Sequence, residues 1–240
     1  MSVKSISVKV TKNIEVSINS REDDKSFDEN QPAYAINWFN TKRAWLYKAY
    51  SLLAVRSVLK IGGRPFFKAK CHLIEGDPAL NRKVLLIVKY PNPGAFLQLV
   101  RNKYFQVISI FRNASVDQFT FGFASKTSNQ RWEKPDNSHY YILHHFQAET
   151  TVAKDLIRIV SETSSNVDLQ VFFSGKVDKC LVVKSSTGSE RQISNLIDEL
   201  IIYRSQDRES LEQVLKSEKY QSLIDSKLKA SSLVELKREI

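Results

Sequence analysis

A chain of 240 residues, 42% hydrophobic and 26% charged, has enough apolar material for a real core, and no uncharged run approaches the ~20 residues of a membrane span. That leaves no membrane among the expected partners. Two cysteines, Cys71 and Cys180, exclude a disulfide scaffold, and Met1-Ser2-Val3-Lys4 lacks the apolar stretch of a secretory signal, so the expected compartment is a reducing cytoplasm. The formal net charge of +10 invites a polyanion, but the cations are dispersed among acids with no basic block, which makes nucleic acid an unlikely partner.

Residues 3–18 alternate apolar and polar (Ile6, Val8, Val10, then Ile14, Val16, Ile18), the pattern of a strand or hairpin arm. Residues 20–31 are polar and acidic and read as a linker. A strand is expected over 33–39, then a helix to about Lys60, capped by Asn40 or Thr41 and closed by Gly62-Gly63. Strands follow over 64–74 and 84–90. Pro91-Asn92-Pro93-Gly94 turns into a helix from Ala95 on which Phe96, Val100 and Tyr104 share a face, and 116–124 supplies a last strand.

Residues 126–138 are polar and read as a second linker. The order then repeats: a strand over 140–146, a helix over 149–161, strands over 167–173 and 196–203, a helix over 207–228 and a short strand over 233–236. Local echoes accompany the repeat. Phe66-Phe67-Lys68-Ala69-Lys70 returns as Phe172-Phe173-Ser174-Gly175-Lys176 (172 − 66 = 106), and Lys103-Tyr104 returns as Lys219-Tyr220 (220 − 104 = 116). The ten extra residues fit best in the loop-like stretch 184–190. The expected organisation is therefore a segment 1–31, a first βαββαβ unit over 32–125, a linker 126–138 and a second unit over 139–240.

The run Leu86-Ile87-Val88-Lys89-Tyr90-Pro91, then Ala95-Phe96-Leu97, Tyr104 and Arg112-Asn113-Ala114, resembles uncharacterised small-domain families of the dimeric α/β-barrel, ferredoxin-like superfamily. The second unit keeps Ile202-Tyr203, Leu211, Tyr220 and Ala230, with Leu228 where Arg112 would map. The resemblance implies an α+β fold in which two antiparallel sheets, here from a tandem duplication, pair into a barrel within one chain. Superfamily members include cofactor-free monooxygenases, isomerases and haem-degrading enzymes, so the fold alone assigns no activity.

Candidate ligand-binding residues follow from polarity in apolar settings. Asn37 is the polar member of the run 33–39, and a buried amide must hydrogen-bond to backbone or ligand. An offset of 106 aligns Trp38 with His144, which shares a strand face with Tyr140, Ile142 and Phe146; its neighbour His145 points to the other face, so the two cannot chelate one metal. Arg112, after an apolar helical stretch, suits a carboxylate ligand or a salt bridge. Tyr47 lies on the core face of the first helix with Leu46, Tyr50, Ala54, Val58 and Ile61. The opposite side carries Trp45, Leu52 and Leu59, seven apart, an apolar stripe expected to meet a partner or another part of the chain.

No phosphate loop, dinucleotide fingerprint, zinc-spaced Cys/His set or nucleophile elbow is present. Phe119-Thr120-Phe121-Gly122-Phe123-Ala124 is similar to the aromatic strand of RNA-recognition motifs but lies on the fourth strand rather than the third. The leading expectation is an α/β barrel that binds a small apolar or aromatic molecule without metal or cofactor, with cofactor-free oxygenation or isomerisation as the chemistry if it is an enzyme. The alternatives are a structural module that self-associates into a homo-oligomer through Trp45, Leu52 and Leu59, and polyanion binding through a basic surface.

Overall fold

The computed structural model describes residues 4–11, 14–20, 31–76, 78, 81–126, 135, 137–148, 152–163, 169–178, 181–185 and 199–238. The linker reading of 21–30, most of the 126–138 linker, the stretch 186–190 and Cys180 lie outside them. The elements run β1 Lys4–Thr11, β2 Ile14–Ser20, β3 Ala33–Thr41, α1 Ala44–Lys60, β4 Arg64–Gly76, β5 Val84–Tyr90, α2 Pro93–Arg101, α3 Lys103–Ser115 and β6 Val116–Lys126. They continue β7 Tyr140–Ala148, α4 Ala153–Thr163, β8 Leu169–Asp178, β9 Leu181–Ser185, β10 Glu199–Ser205, α5 Arg208–Leu215, α6 Glu218–Lys227 and β11 Leu228–Arg238. The fold is α+β, with strands hydrogen-bonded in the order β10-β7-β11-β4-β5-β3-β6-β8 of a closed barrel.

The chain divides into two compact units, the first made of Met1–Lys68, Arg82–Ser125 and Asp178–Ser194, the second of Ala69–Asn81, Lys126–Val177 and Asn195–Ile240. In the first, β3 is the central strand, antiparallel to β5 on one side and β6 on the other. β1 and β2 pair as a hairpin, one of the two forms expected of 3–18, and β9 adds to β2 as a third strand of the first unit. Periodicity missed β9 because only five residues pair.

One sheet face of the first unit is covered by helices. Ala35 and Phe39 of β3, Val84, Val88 and Tyr90 of β5, and Phe121 and Phe123 of β6 pack with Tyr47, Tyr50, Ala54 and Val58 of α1, Phe96 and Leu99 of α2, and Phe105 and Ile108 of α3. Burying such side chains stabilises by roughly 1.5–3 kcal/mol each. Where one helix was expected from Ala95, the chain breaks at Asn102. Its side chain accepts from Phe105 N at 3.0 Å while its own N–H closes α2 on Leu99 O at 3.1 Å. The break rotates Tyr104 outward, away from Phe96 and Val100, and half of its surface is exposed.

Neither Asn40 nor Thr41 caps α1, whose N-cap is Arg43 with no side-chain bond. The Asn40 Oδ1 accepts instead from Lys83 N at 2.8 Å, tying the end of β3 to the approach of β5. At the other end Gly62, at φ 76°, and Gly63 return their N–H groups to Leu59 and Val58 carbonyls, as the glycine pair suggested.

In the second unit β7 is central, between β10 and β11, and β10 also pairs with β8. Residues 69–76 of β4 pair with β11. Ile142, Phe146, Ile201, Tyr203 and Leu233 face Leu156 and Val160 of α4, Leu211 and Leu215 of α5 and Tyr220 of α6. The single helix expected over 207–228 is likewise broken, at Ser217, and the last strand is eleven residues rather than a short one.

Candidate functional site

Each unit holds polar groups on the face of its sheet that the helices cover. In the first unit Asn37 sits in the middle of β3, opposite Leu86 of β5 and Phe121 of β6. Alternation along the strand places it with Ala35 and Phe39 on the helix side. Its Nδ2 donates to Ala35 O at 3.2 Å and Leu86 O at 3.3 Å. Both partners are carbonyls, so the amide nitrogen must face them, and Oδ1 accepts no hydrogen bond among the described residues. Asn37 and Leu86 are only half-buried although both stand mid-sheet beneath the helices. Solvent therefore reaches the sheet at this point.

Tyr47 and Tyr50 reach this layer from α1 because positions 47, 50, 54 and 58 share its buried face. The Tyr47 ring packs on Phe39 at 4.8 Å and on Tyr50 at 5.9 Å. Arg112, in the last turn of α3, lies over the Phe119 ring at 5.4 Å and bonds Asn113 Oδ1 at 3.3 Å, and its charge acts on the Tyr50 phenol. Burial pushes the Tyr50 phenol up, while the Arg112 charge pulls it partly back. Tyr90 is raised by burial and further by Tyr50, again opposed by Arg112. Both phenols remain protonated at neutral pH.

Trp38 takes no part in this nest. It lies on the opposite sheet face from Asn37, is 2% exposed, and donates its indole N–H to Arg82 O at 3.1 Å. The alignment of Trp38 with His144 at an offset of 106 thus pairs residues on different faces. By strand position and face, the counterpart of His144 is Asn37: each stands mid-way along its central strand on the helix side.

His144 belongs to the second unit and is fully buried. Its Nδ1 lies 2.6 Å from Tyr220 Oη and its Nε2 2.7 Å from Ser231 Oγ, while Tyr203 Oη is 3.0 Å from Tyr220 Oη. Burial, with a smaller push from His145, lowers the imidazole to about 3, so it is neutral, donating through one nitrogen and accepting through the other. Burial also lowers His145 to about 3 and raises Tyr203 and Tyr220. This chain of hydroxyls and imidazole is satisfied internally. Sequence reasoning singled out His144 but not Tyr203, Tyr220 or Ser231 as its partners; the echo of Tyr104 in Tyr220 was the available signal.

No cluster of three His, Cys, Asp or Glu side chains able to hold a metal occurs among the described residues. The structure brings Asn37, Tyr47 and Arg112 to one layer of the first unit, puts Trp38 on the other sheet face, and leaves Trp45, Leu52 and Leu59 exposed.

No protein-family model and no curated protein matches the chain. Solved structures share its fold. A candidate monooxygenase from Fusobacterium nucleatum superposes with a TM-score of 0.54 at 11% identity, over 88% of this chain and 94% of that one. An anthrone oxidase-like protein superposes with a TM-score of 0.51 at 8% identity, over 87% and 92% respectively. At these identities the likeness is one of fold.

Proposed function

We propose that this chain is a fused pair of ferredoxin-like units, descended from one duplicated half, in which the first unit binds a small apolar or aromatic molecule bearing oxygen functions. One observation carries the reading. Asn37 and Leu86 are solvent-accessible in the middle of a sheet face that helices cover, whereas His144 and Ile201, at the matching place of the second unit, are 0% exposed. We read this accessible position as ligand space; at the matching place of the second unit stand an imidazole and two phenols.

The lining dictates the ligand. Aromatic walls from Phe39, Phe121 and Tyr47 suit a flat ring, Asn37 Oδ1 accepts from a hydroxyl, and Tyr50 with Arg112 donates to a carbonyl or oxyanion. Among the residues named here none is a base at neutral pH, since the phenols are raised and the nest holds no carboxylate. The substrate class that fits is an enol or hydroxyaromatic acidic enough to ionise near neutrality, its anion held by Arg112. Such electron-rich anions are the substrates of cofactor-free oxygenation or isomerisation, and the two structural neighbours named for oxidative activity are consistent with that class without assigning it.

The test is saturation-transfer NMR with enols and hydroxyaromatics that are ionised near neutrality, such as 2-hydroxy-1,4-naphthoquinone, followed by oxygen-electrode assays on those that bind. Asn37→Phe, which fills the space, and Arg112→Ala abolish binding, while His144→Phe leaves it intact. Binding that survives Asn37→Phe in a folded protein overturns the assignment.

A further inference from the structure

The outer faces of α1 and α3 are unlike the rest of the described surface. Trp45, Leu52 and Leu59 on α1 and Tyr104, Val107, Ile110 and Phe111 on α3 are all 44% exposed or more, and among the described residues the one other large exposed hydrophobic is Tyr140. The two helices pack side by side, so the seven side chains form one patch. Among the described residues of α1, α2 and α3 the charges have one sign. α1, α2 and α3 contain no aspartate or glutamate, and Lys48, Arg56, Lys60, Arg101 and Lys103 are exposed on or beside the patch. Asp117, which follows α3, is paired with Lys42 at 3.4 Å.

The helices of the second unit supply an internal control. α4, α5 and α6 expose mixed charges, with Arg158 3.4 Å from Glu162, Arg208 3.0 Å from Glu212 and Lys216 3.2 Å from Glu212. That is a surface composed for water. The same layer of the first unit is apolar, aromatic and purely cationic.

We infer that the α1/α3 face seats on an anionic phospholipid surface, with the apolar side chains entering the interface and the cations meeting the phosphates. Charge complementarity selects this occupant. A second copy of the chain, related by a two-fold axis, would bring two all-cationic rims together, and like charges there oppose association. The side chains offer donors (ammonium, guanidinium and the Trp45 indole) but no carboxylate, which matches phosphodiesters that only accept. Trp, Phe and Leu beside Lys and Arg is the composition of a helix lying in a membrane interface. No described helix is long and apolar enough to cross a membrane, so the seating is peripheral. The inference stands apart from the ligand reading, although α1 and α3 also cover Asn37.

The experiment is flotation of the full chain with vesicles of phosphatidylcholine alone or doped with phosphatidylglycerol, at low and high salt. The chain floats with the anionic vesicles only, and high salt releases it. Trp45→Glu and Val107→Glu, on different helices and both away from the core, each weaken binding by about tenfold or more, as does Arg56→Glu, while Arg158→Glu on α4 has no effect. Circular dichroism confirms that each variant is folded. Absence of flotation at low salt overturns the inference, as does flotation indifferent to both Trp45→Glu and Val107→Glu. A doubled mass in sedimentation that Trp45→Glu abolishes assigns the face to a second copy, and tight binding of an acidic peptide without flotation assigns it to a protein; either result overturns the lipid reading.

Discussion

The Nδ1 of His144 lies 2.6 Å from the hydroxyl of Tyr220, and neither side chain is exposed. The imidazole titrates at about 3 in the folded chain against an ordinary 6.5. Its folded value is depressed, so between those values the unfolded chain binds the proton and the native one does not. Stability is fully present above about 6.5 and is lost as pH falls toward 3, at up to about 1.4 kcal/mol per pH unit for each such histidine. His145 behaves alike. Urea denaturation at pH 7 and pH 5 should show the loss, and His144→Phe should remove about half of the slope whatever it does to stability at neutral pH. A slope unchanged in His144→Phe would mean that the imidazole is already charged when folded.

Tyr220 bridges two partners, so its hydroxyl is worth more than one bond. Tyr220→Phe leaves His144 Nδ1 and Tyr203 Oη each short of a partner in a sealed interior, at a cost of about 1–3 kcal/mol for an orphaned group. In the His144→Phe background one of those orphans is already gone. A double-mutant cycle by chemical denaturation should return a coupling of about 0.5–3 kcal/mol, and additive single effects would show that the network is not shared.

In the first unit the matching position tests a different property. The Asn37 Nδ2 points at two backbone carbonyls, so Asn37→Asp turns a double donor into an acceptor facing acceptors. The expected cost is about 1–3 kcal/mol at neutral pH, recovered in part on acidification as the carboxyl gains a proton to donate. Asn37→Leu loses the same bonds without that pH dependence. Thermal unfolding at two pH values separates the two variants.

The order of strands and helices was legible because apolar runs and helical spacing survive in single segments: 84–90 and the start of 33–41 match their apolar runs. The apolar stripe of Trp45, Leu52 and Leu59 was legible for the same reason, and it is exposed. The breaks at Asn102 and Ser217 were not, because asparagine and serine inside an amphipathic run resemble tolerated residues until their caps are seen. Face parity was also hidden. An offset of 106, counted from Phe66 and Phe172, pairs Trp38 with His144, which lie on different sheet faces, because one residue in a strand exchanges the helix side for the other face. Asn37, one residue earlier, has the mid-strand position and the helix side that His144 has in the second unit. The expectation that no membrane would be a partner counted spans alone, and no described helix is long and apolar enough to cross one.

Gly76 links a backbone constraint to the buried imidazole. It closes β4 at φ 114°, opposite Ser232 of β11. A Cβ there would collide with the Ser232 side chain, with Ser231 O at 2.6 Å and with Ser232 Cα at 2.7 Å. Two of those contacts are backbone, so β11 itself must move, and Gly76→Ala should cost about 1–3 kcal/mol or more from the strained dihedral alone. Ser231 is the residue whose hydroxyl holds His144 Nε2 at 2.7 Å. The displacement should therefore reach the imidazole, shifting its 15N resonances in Gly76→Ala at a temperature where the variant is still folded. Unaltered His144 resonances in a destabilised Gly76→Ala would show that β11 yields at its edge without moving Ser231, and that the hydroxyl network holds its geometry independently of the β4 turn.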